Sequence, residues 1–342
     1  MIAYFIRRFL LVIPTFIGIT MMVFVITRLV PGGPIERMIA EYQMRGMERG
    51  GGAGMSSAGR NQPLSEEQID ELKKYYGFDK PILISYLLWF KKVIRFDLGS
   101  STRYYEPVWD IIKSKLPVSL FYGILAMILT YSICIPLGIL KAIKHKTVID
   151  NTTSIIVFVG YAIPNYIIAI ILLIIFSSWL DLFPLGGFTS DNFSDLGFIN
   201  KIWDVLYHAI LPLIAYMAGS FAVMTFMMKN SLMDHLASDF IRTAIAKGIP
   251  FKRAVFTHAT RNSLIPLATS FGNNLSLILM GSYLIEKIFN IDGMGLLSLE
   301  SIIQRDYPVV LGTLVISSLL FLIGNILSDI CVAIVDPRVK FE

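Results

Sequence analysis

The stretch DFIRTAIAKGIPFKRAVFTHATRNSLIP, residues 239–266, is the most polar and most basic segment in the second half of the chain, and it lies between two long apolar runs. Phe240, Thr243, Ala244 and Lys247 recur at three- and four-residue spacing, so they share one face of a short helix. Gly248 reads as the stop of that helix, with Pro250 just beyond it. Arg242, Lys247, Lys252, Arg253 and Arg261 outnumber the nearby acid Asp239. A short basic helix between two spans belongs on the cytoplasmic side, parallel to the membrane. A helix placed there is displayed to a partner.

Composition agrees with a chain built around membrane crossings. Of 342 residues, 55% are hydrophobic and only 16% charged, against about 25% charged in a soluble domain. Such a chain is a polytopic membrane protein with lipid around it. The net charge of +5 is no sign of a nucleic-acid partner, because the positive residues flank the apolar runs, where orientation needs them. The spans are expected at Phe9–Val30, Val118–Leu140, Ile155–Leu180, Ala209–Met228, Leu267–Ile288 and Val309–Val335, each offering the roughly 20 residues that a crossing needs. The run after Arg7 and Arg8 is too long for the core of a cleavable signal and reads as the first span. Cys134 and Cys331 both fall inside spans and read as core cysteines, with a disulfide between them as the alternative.

Charge sets the orientation. Arg7 and Arg8, the group Lys141, Lys144, His145 and Lys146, the 239–266 stretch, and Arg338 with Lys340 alternate correctly along the chain. All four segments can therefore be cytoplasmic together. The intervening loops carry Asp181, Asp191, Asp195 and Asp204, then Asp292, Glu300 and Asp306, and belong outside. Both termini are then cytoplasmic.

Residues 31–116 are outside by alternation. Residues 44–61 are Gly-, Met- and Ser-rich, a composition that buries too little to order itself. Residues 63–96 read as helical. Ser65-Glu66-Glu67-Gln68 fits a capping box, Ile69, Leu72 and Tyr76 form an apolar stripe, and Gly77 stops the helix. A second helix is expected over Pro81–Ile94, with Ile84, Leu87, Leu88 and Trp89 on its apolar side. The chain thus divides into a first span (1–30), an outer segment (31–116) and a five-helix core (117–336) that contains the 239–266 loop.

Several chemistries are missing. His145, His208, His235 and His258 are the only histidines, none with metal-ligand spacing. Neither a nucleophile elbow nor a phosphate-binding Gly-x-x-x-x-Gly-Lys-Ser/Thr occurs, so the chain does not hydrolyse ATP by a P-loop. Ion-coupled carriers need carboxylates or broken helices near the midplane. Only Asp329 is a serious candidate, and it reads more simply as snorkelling or capping at the cytoplasmic interface. Glu286 reads as an interface or gate-region residue. Uncharged polar residues do occur within spans: Asn165 after Tyr161 and Pro164, the cluster Ser270, Asn273, Asn274 and Ser276, and Asn325 with Ser328. Such groups either bond across helices or line a watery path. Pro136, Pro164 and Pro212 imply kinks or broken ends. Met217, Met224, Met227 and Met228 read as packing, with a Met-lined cavity as the alternative.

Arg242-Thr243-Ala244-Ile245-Ala246-Lys247-Gly248, with Arg261-Asn262-Ser263-Leu264-Ile265-Pro266 downstream, resembles the cytoplasmic coupling loop of binding-protein-dependent ABC transporter permeases, in particular the oligopeptide/dipeptide branch. Other segments resemble the same branch: Asp97-Leu98-Gly99-Ser100, Leu116-Pro117-Val118-Ser119-Leu120, Gly281-Ser282-Tyr283-Leu284-Ile285-Glu286 with Phe289 and Gly293-Met294-Gly295, Arg305-Asp306-Tyr307-Pro308, and Asp336-Pro337-Arg338. Gly32-Gly33-Pro34, the Gly-rich insert and Ile163-Pro164 most resemble the subgroup importing microcin C and other peptides. The general importer motif begins Glu-Ala-Ala, where this chain has Arg242-Thr243-Ala244. The distance from Gly248 to Pro266 is also longer.

The resemblance implies an all-α, six-span, MetI-like permease of a type I ABC importer, with no cofactor of its own and with ATP and Mg held by a separate ATPase subunit. It implies that Phe240, Arg242, Thr243, Ala244, Lys247 and Gly248 contact that ATPase. The path candidates are Tyr161, Asn165, Ser270, Asn273, Asn274 and Ser276, and the outer-gate candidates are Glu286, Phe289, Gly293 and Gly295. A second homologous permease, an extracytoplasmic peptide-binding protein and a peptide cargo complete the expected system. The rivals are a related cargo such as nickel or oligosaccharide, an ion-coupled secondary transporter, a membrane enzyme and an assembly scaffold.

Overall fold

The computed structural model describes residues 2–29 and 79–335. The described residues are helical, with no strand among them beyond a single bridge between Ser100 and Pro107. The helices are α1 (Ile2–Leu29), α2 (Ile82–Val93), α3 (Val108–Ile143), α4 (Val148–Ala162), α5 (Asn165–Leu172, continued by a wide π turn over Leu173–Trp179), α6 (Phe198–Leu236), α7 (Asp239–Ala246), α8 (Ile265–Leu279), α9 (Tyr283–Ile288), α10 (Met294–Ile303) and α11 (Tyr307–Val335). Between α7 and α8 the chain stays helical in short pieces, Phe251–Arg253, a π turn over Ala254–Ala259, and Thr260–Ser263. The expected helix near residue 70, the Gly-rich 44–61 and the terminal Asp336-Pro337-Arg338 lie outside the described residues.

Among the described residues, α1, α3, α6 and α11 are long and apolar enough to cross a membrane, and α4 with α5 makes a fifth if the bent pair is one span. At 39 residues, α6 is about 58 Å long. That exceeds the ~30 Å hydrocarbon core, so it carries the chain well past one membrane face. Pro117 and Pro136 are accommodated inside α3, and Pro212 inside α6.

Two expected spans are not continuous helices. The run Ile155–Leu180 breaks at Ile163-Pro164, and its two halves are bent by 99°. Ile163 is extended (φ −92°, ψ 125°), because the ring of a following proline clashes with the α conformation. Pro164 then stands at the N-terminus of α5, where a missing N–H costs nothing. The run Leu267–Ile288 breaks after Leu279, because Gly281 is left-handed (φ 79°) and Ser282 extended. The 15 residues of α8 reach only about 22 Å.

The chain forms two compact units. One draws on Met1–Ile13, Ser114–Leu297 and Ser317–Glu342, the other on Pro14–Lys113 and Ser298–Ile316. In the second, α2 packs on α1. Tyr86 and Trp89 meet the Phe24 ring at 5.7 and 5.3 Å, and the Tyr86 hydroxyl lies 2.9 Å from Thr20 Oγ1. The inward side of α2 is thus Ser85, Tyr86 and Val93, whereas Ile84, Leu87 and Leu88 are exposed. This corrects the expected face: α2 is apolar nearly all round, so periodicity could not choose its buried side, and the aromatic contact did. In the same unit the buried Asp306 carboxylate clasps the loop after Asp97-Leu98-Gly99-Ser100. It accepts the Ser101 hydroxyl at 2.5 Å and the Thr102 and Arg103 amides at 3.3 Å each.

Among the described residues the first unit holds two larger apolar clusters beside a small one at Met127 and Leu275. One gathers Tyr122, Ala169, Leu213, Tyr216, Ile285 and Phe289. The other gathers Cys134, Met228, Leu232, Ile241, Val255 and Leu267. Helices α8 and α11 cross at Gly272 and Gly324, where a Cβ on Gly272 would overlap the Gly324 carbonyl. Ser328 Oγ donates across the crossing to the Ala268 and Thr269 carbonyls at 3.0 and 2.6 Å. The paired Gly-x-x-x-Ser motifs, 272–276 and 324–328, let two membrane helices touch backbone to backbone. Asp329 pairs with Arg8 at 2.7 Å. Lys141, expected on a loop, is fully buried.

Candidate functional site

Helix α6 ends at Leu236. Ser238 is extended (φ −75°, ψ 153°) and starts α7. Eight residues later α7 closes in a Schellman cap: Gly248 N–H donates to the Ile245 carbonyl at 2.9 Å, and Ile249 N–H to the Ala244 carbonyl at 3.2 Å. The cap needs a left-handed residue, and Gly248 supplies it at φ 88°. The stop read from the sequence is therefore a specific hydrogen-bonded turn.

One side chain anchors α7. Ile241 is 1% exposed and enters the cluster of Leu232, Met228 and Val255. The rest of its surface is largely open: Phe240 is 46% exposed, with its ring 6.2 Å from that of His235; Arg242, Thr243 and Lys247 are exposed, and Ala244 is half-buried. Ile245, Phe251 and Phe256 are exposed as well, among Lys252 and Arg253. These three apolar residues were absent from the expected contact set. Their signal was present as large apolar side chains in an otherwise polar, basic loop. The Arg242–Asp239 pair, 3.6 Å apart and largely exposed on both sides, is worth little in water, so both groups stay available. Arg261 ties the segment to the end of α11, donating Nε–H to the Val335 carbonyl at 2.9 Å.

The path candidates are not gathered in one place. Ser270 Oγ donates to the Pro266 carbonyl at 3.0 Å and lies 3.9 Å from the Met227 sulfur. The Asn274 amide reaches the Tyr131 hydroxyl at 3.4 Å and the Met224 sulfur at 3.7 Å. These two therefore share a polar and thioether strip between α3, α6 and α8. Ser276 is fully buried and turns the other way, donating to the Gly272 carbonyl at 2.7 Å beside α11. The Asn273 side chain lies outside the described residues. Asn165 sits just past the Pro164 break, where a Cβ on Gly219 would come within 2.7 Å of its amide, and Tyr161 is exposed just before that break.

The outer-gate candidates do meet. Glu286 is 1% exposed. Its Oε2 accepts the Leu296 amide at 2.6 Å, its Oε1 accepts the Tyr216 hydroxyl at 3.3 Å, and that hydroxyl accepts the Ser282 amide at 3.2 Å. Gly293 wraps the carboxylate so closely that a Cβ there would lie 2.7 Å from Glu286 Cδ. A Cβ on Gly295 would lie 2.8 Å from the Tyr283 nitrogen. Phe289 is buried, and its carbonyl accepts the Gly187 amide at 2.8 Å. Ser119 Oγ accepts the Met294 amide at 2.8 Å. Loop 280–296 is thus folded around one buried carboxylate.

Among the described residues no group of three or more His, Cys, Asp or Glu could hold a metal ion. The arrangement offers an exposed apolar and basic helix joined to a long apolar helix.

Residues 134–341 match the family described as "Binding-protein-dependent transport system inner membrane component". The chain is 40% identical over 358 residues to the peptidoglycan transport system permease protein YejB of Agrobacterium fabrum, covering 99% of this chain and 98% of that protein. It is 40% identical over 360 residues to the inner membrane ABC transporter permease protein YejB of Escherichia coli O157:H7, with 99% of each covered. To the oligopeptide transport system permease protein AppB of Bacillus subtilis it is 34% identical over 342 residues, with 100% of each covered. The chain belongs to this family of permeases, and it is a transport subunit rather than an enzyme.

Proposed function

From that membership, we propose that the chain forms half of the membrane path of an ATP-driven importer of peptides, and that α7 is where the drive enters. The observation carrying this is the pair of neighbours at the start of α7: Ile241 is buried in the permease while Phe240, next to it, is offered to solvent. A helix anchored by one residue while Phe240 and Ile245 stay partly exposed is suited to sit in a cleft of another protein. Phe240, Ile245, Thr243 and Ala244 would fill that cleft, while Arg242 and Lys247 meet its rim and Gly248 turns the chain out.

The partner is a cytoplasmic ATPase subunit, which holds the ATP and Mg. This chain needs no cofactor. Closing of the ATPase lobes pushes α7 and, through it, α6. The two states differ in free energy only by what ATP supplies to one of them. A second homologous permease completes the path, and an extracytoplasmic binding protein delivers the cargo. The chain crosses the inner membrane six times with both termini in the cytoplasm. The bent α4–α5 pair is its third crossing, and α8 with the loop after it is its fifth. Residues 1–30 form the first span, 31–116 an outer segment and 117–336 the core. Ser270 and Asn274 face the path, and the Glu286 loop closes its outer end.

Peptide cargo rests on the names of the relatives, which say oligopeptide, dipeptide and peptidoglycan. The last favours a second reading, in which the peptide arrives joined to a cell-wall glycan. The experiment pairs Phe240→Asp and Gly248→Trp in the assembled transporter, with ATPase co-purification and labelled-peptide uptake measured together. Both variants should lose ATPase association and uptake. Retention of both would overturn the assignment of α7.

A further inference from the structure

Asp150 stands at the first turn of α4 and is 2% exposed, yet two lysines and a histidine converge on it from other parts of the fold. Lys141, from the end of α3, is 0% exposed. Its ammonium donates to the Asp150 backbone carbonyl at 3.0 Å, to Thr153 Oγ1 at 2.9 Å and to Ser154 Oγ at 2.7 Å. An ammonium has three protons, so these three acceptors on α4 satisfy it without the carboxylate, whose Oδ1 lies at 3.2 Å. Lys229, from α6, is held differently. Its ammonium lies 2.8 Å from each oxygen of Asp150, and these are its two hydrogen bonds among the described residues. His145 Nδ1 lies 3.3 Å from Oδ2, and the Lys146 amide donates to the same oxygen at 3.1 Å.

The asymmetry separates a staple from a latch. Lys141 fixes α3 to α4 whatever the carboxylate does. Lys229 joins α6 to that hairpin through one bidentate contact, two turns before α6 ends and α7 begins. Removing one partner of a buried pair normally strands a charge at great cost. Here the cost is averted on both sides. When Lys229 leaves, Asp150 keeps Lys141, His145 and the Lys146 amide. Lys229 is itself the more exposed of the two lysines, at 8%, so a small outward shift returns it to water. An ion pair in this setting contributes registry more than stability.

We propose that Asp150 is a positioning residue for transport, and that the Asp150–Lys229 contact is a releasable latch holding α6 in one of the two states of the permease until the ATPase pushes α7. The inference rests on the reading of α7 as the input. The latch sets how much drive the switch requires, so its loss lets the switch run without cargo.

The test uses the complete transporter in liposomes, with partner permease, ATPase subunits and binding protein. Lys229→Met should keep ATPase association, raise ATP hydrolysis without the loaded binding protein several-fold, and lower the peptide imported per ATP. Lys229→Arg, which keeps a bidentate donor, should restore both. An assembled Lys229→Met transporter with unchanged basal hydrolysis and unchanged coupling ratio overturns the proposal. Should that variant fail to assemble, Phe158→Cys with Phe226→Cys keeps both Asp150 and Lys229, removes only the Phe226 ring 5.3 Å from the Lys141 ammonium, and reports α4–α6 proximity, the two rings being 4.6 Å apart. A short thiol cross-linker should join the cysteines without nucleotide and lose that yield in the ATP-trapped state. Equal yield in both states overturns the latch. Phe240→Asp run in parallel judges the α7 reading separately, since that reading fails if ATPase association survives there.

Discussion

Ile241 and Phe240 are adjacent in the chain and opposite in role, and the difference can be measured. Ile241→Ala empties a filled position between α6 and the Val255 turn. It should cost about 2–5 kcal/mol and lower the melting temperature of the purified permease. Phe240→Ala removes nothing from the core and should leave that temperature unchanged while ATPase association falls. Sequence spacing found the exposed face, because Phe240, Thr243 and Lys247 repeat with the helix. It missed Ile241 as the anchor, because a residue's burial depends on elements far away in the chain. Glu286 makes the same point. As a lone acid near the end of an apolar run it read as a gate residue, and nothing local indicated that Tyr216, Ser282 and Leu296 would enclose it. Glu286→Ala leaves the half-buried Leu296 amide without its acceptor and should destabilise by about 1–3 kcal/mol. Glu286→Gln, which keeps an acceptor oxygen, should lose less in the same thermal unfolding in detergent.

At the scale of elements, the breaks within spans decide what each apolar run can do. Pro164 announced its break, since a proline constrains both itself and the residue before it. The break at Gly281 was hidden in a window that stays apolar through Ile285, because hydropathy counts side chains and does not register a left-handed backbone. The α8–α11 crossing was equally concealed. Gly272 and Gly324 look like any glycines of a span until each is seen to lie against the other's carbonyl, where a Cβ would overlap it. Their substitution is therefore expected to differ from that of other glycines. Gly272→Leu must push α8 off α11, and the permease should fail to accumulate in membranes. Gly160→Ala meets nothing within 4 Å and lies in α4, where alanine is favoured over glycine by about 1 kcal/mol. It should accumulate normally and melt no lower than the parent chain.

For the whole molecule, the family and a multi-pass membrane character were legible because motifs and hydropathy are properties of the chain itself. The number of crossings was less secure. Six apolar runs are not six helices when one bends by 99° and another stops after 15 residues. Geometrically, the α4–α5 pair is either a broken crossing or a loop that re-enters on its own side. The two arrangements place the following segment on opposite faces of the membrane. With a crossing, Asp191 is outside and α6 returns the chain inward, so Lys247 is cytoplasmic. With a re-entrant loop both positions exchange sides. Asp191 and Lys247 are exposed, and Cys134 and Cys331 can be replaced to give a cysteine-free background. A membrane-impermeant thiol reagent applied to intact cells should then label Asp191→Cys at once and Lys247→Cys only after permeabilisation. The reverse pattern would put α7 on the face away from any ATPase, and neither the import reading nor the latch at Asp150 would survive it.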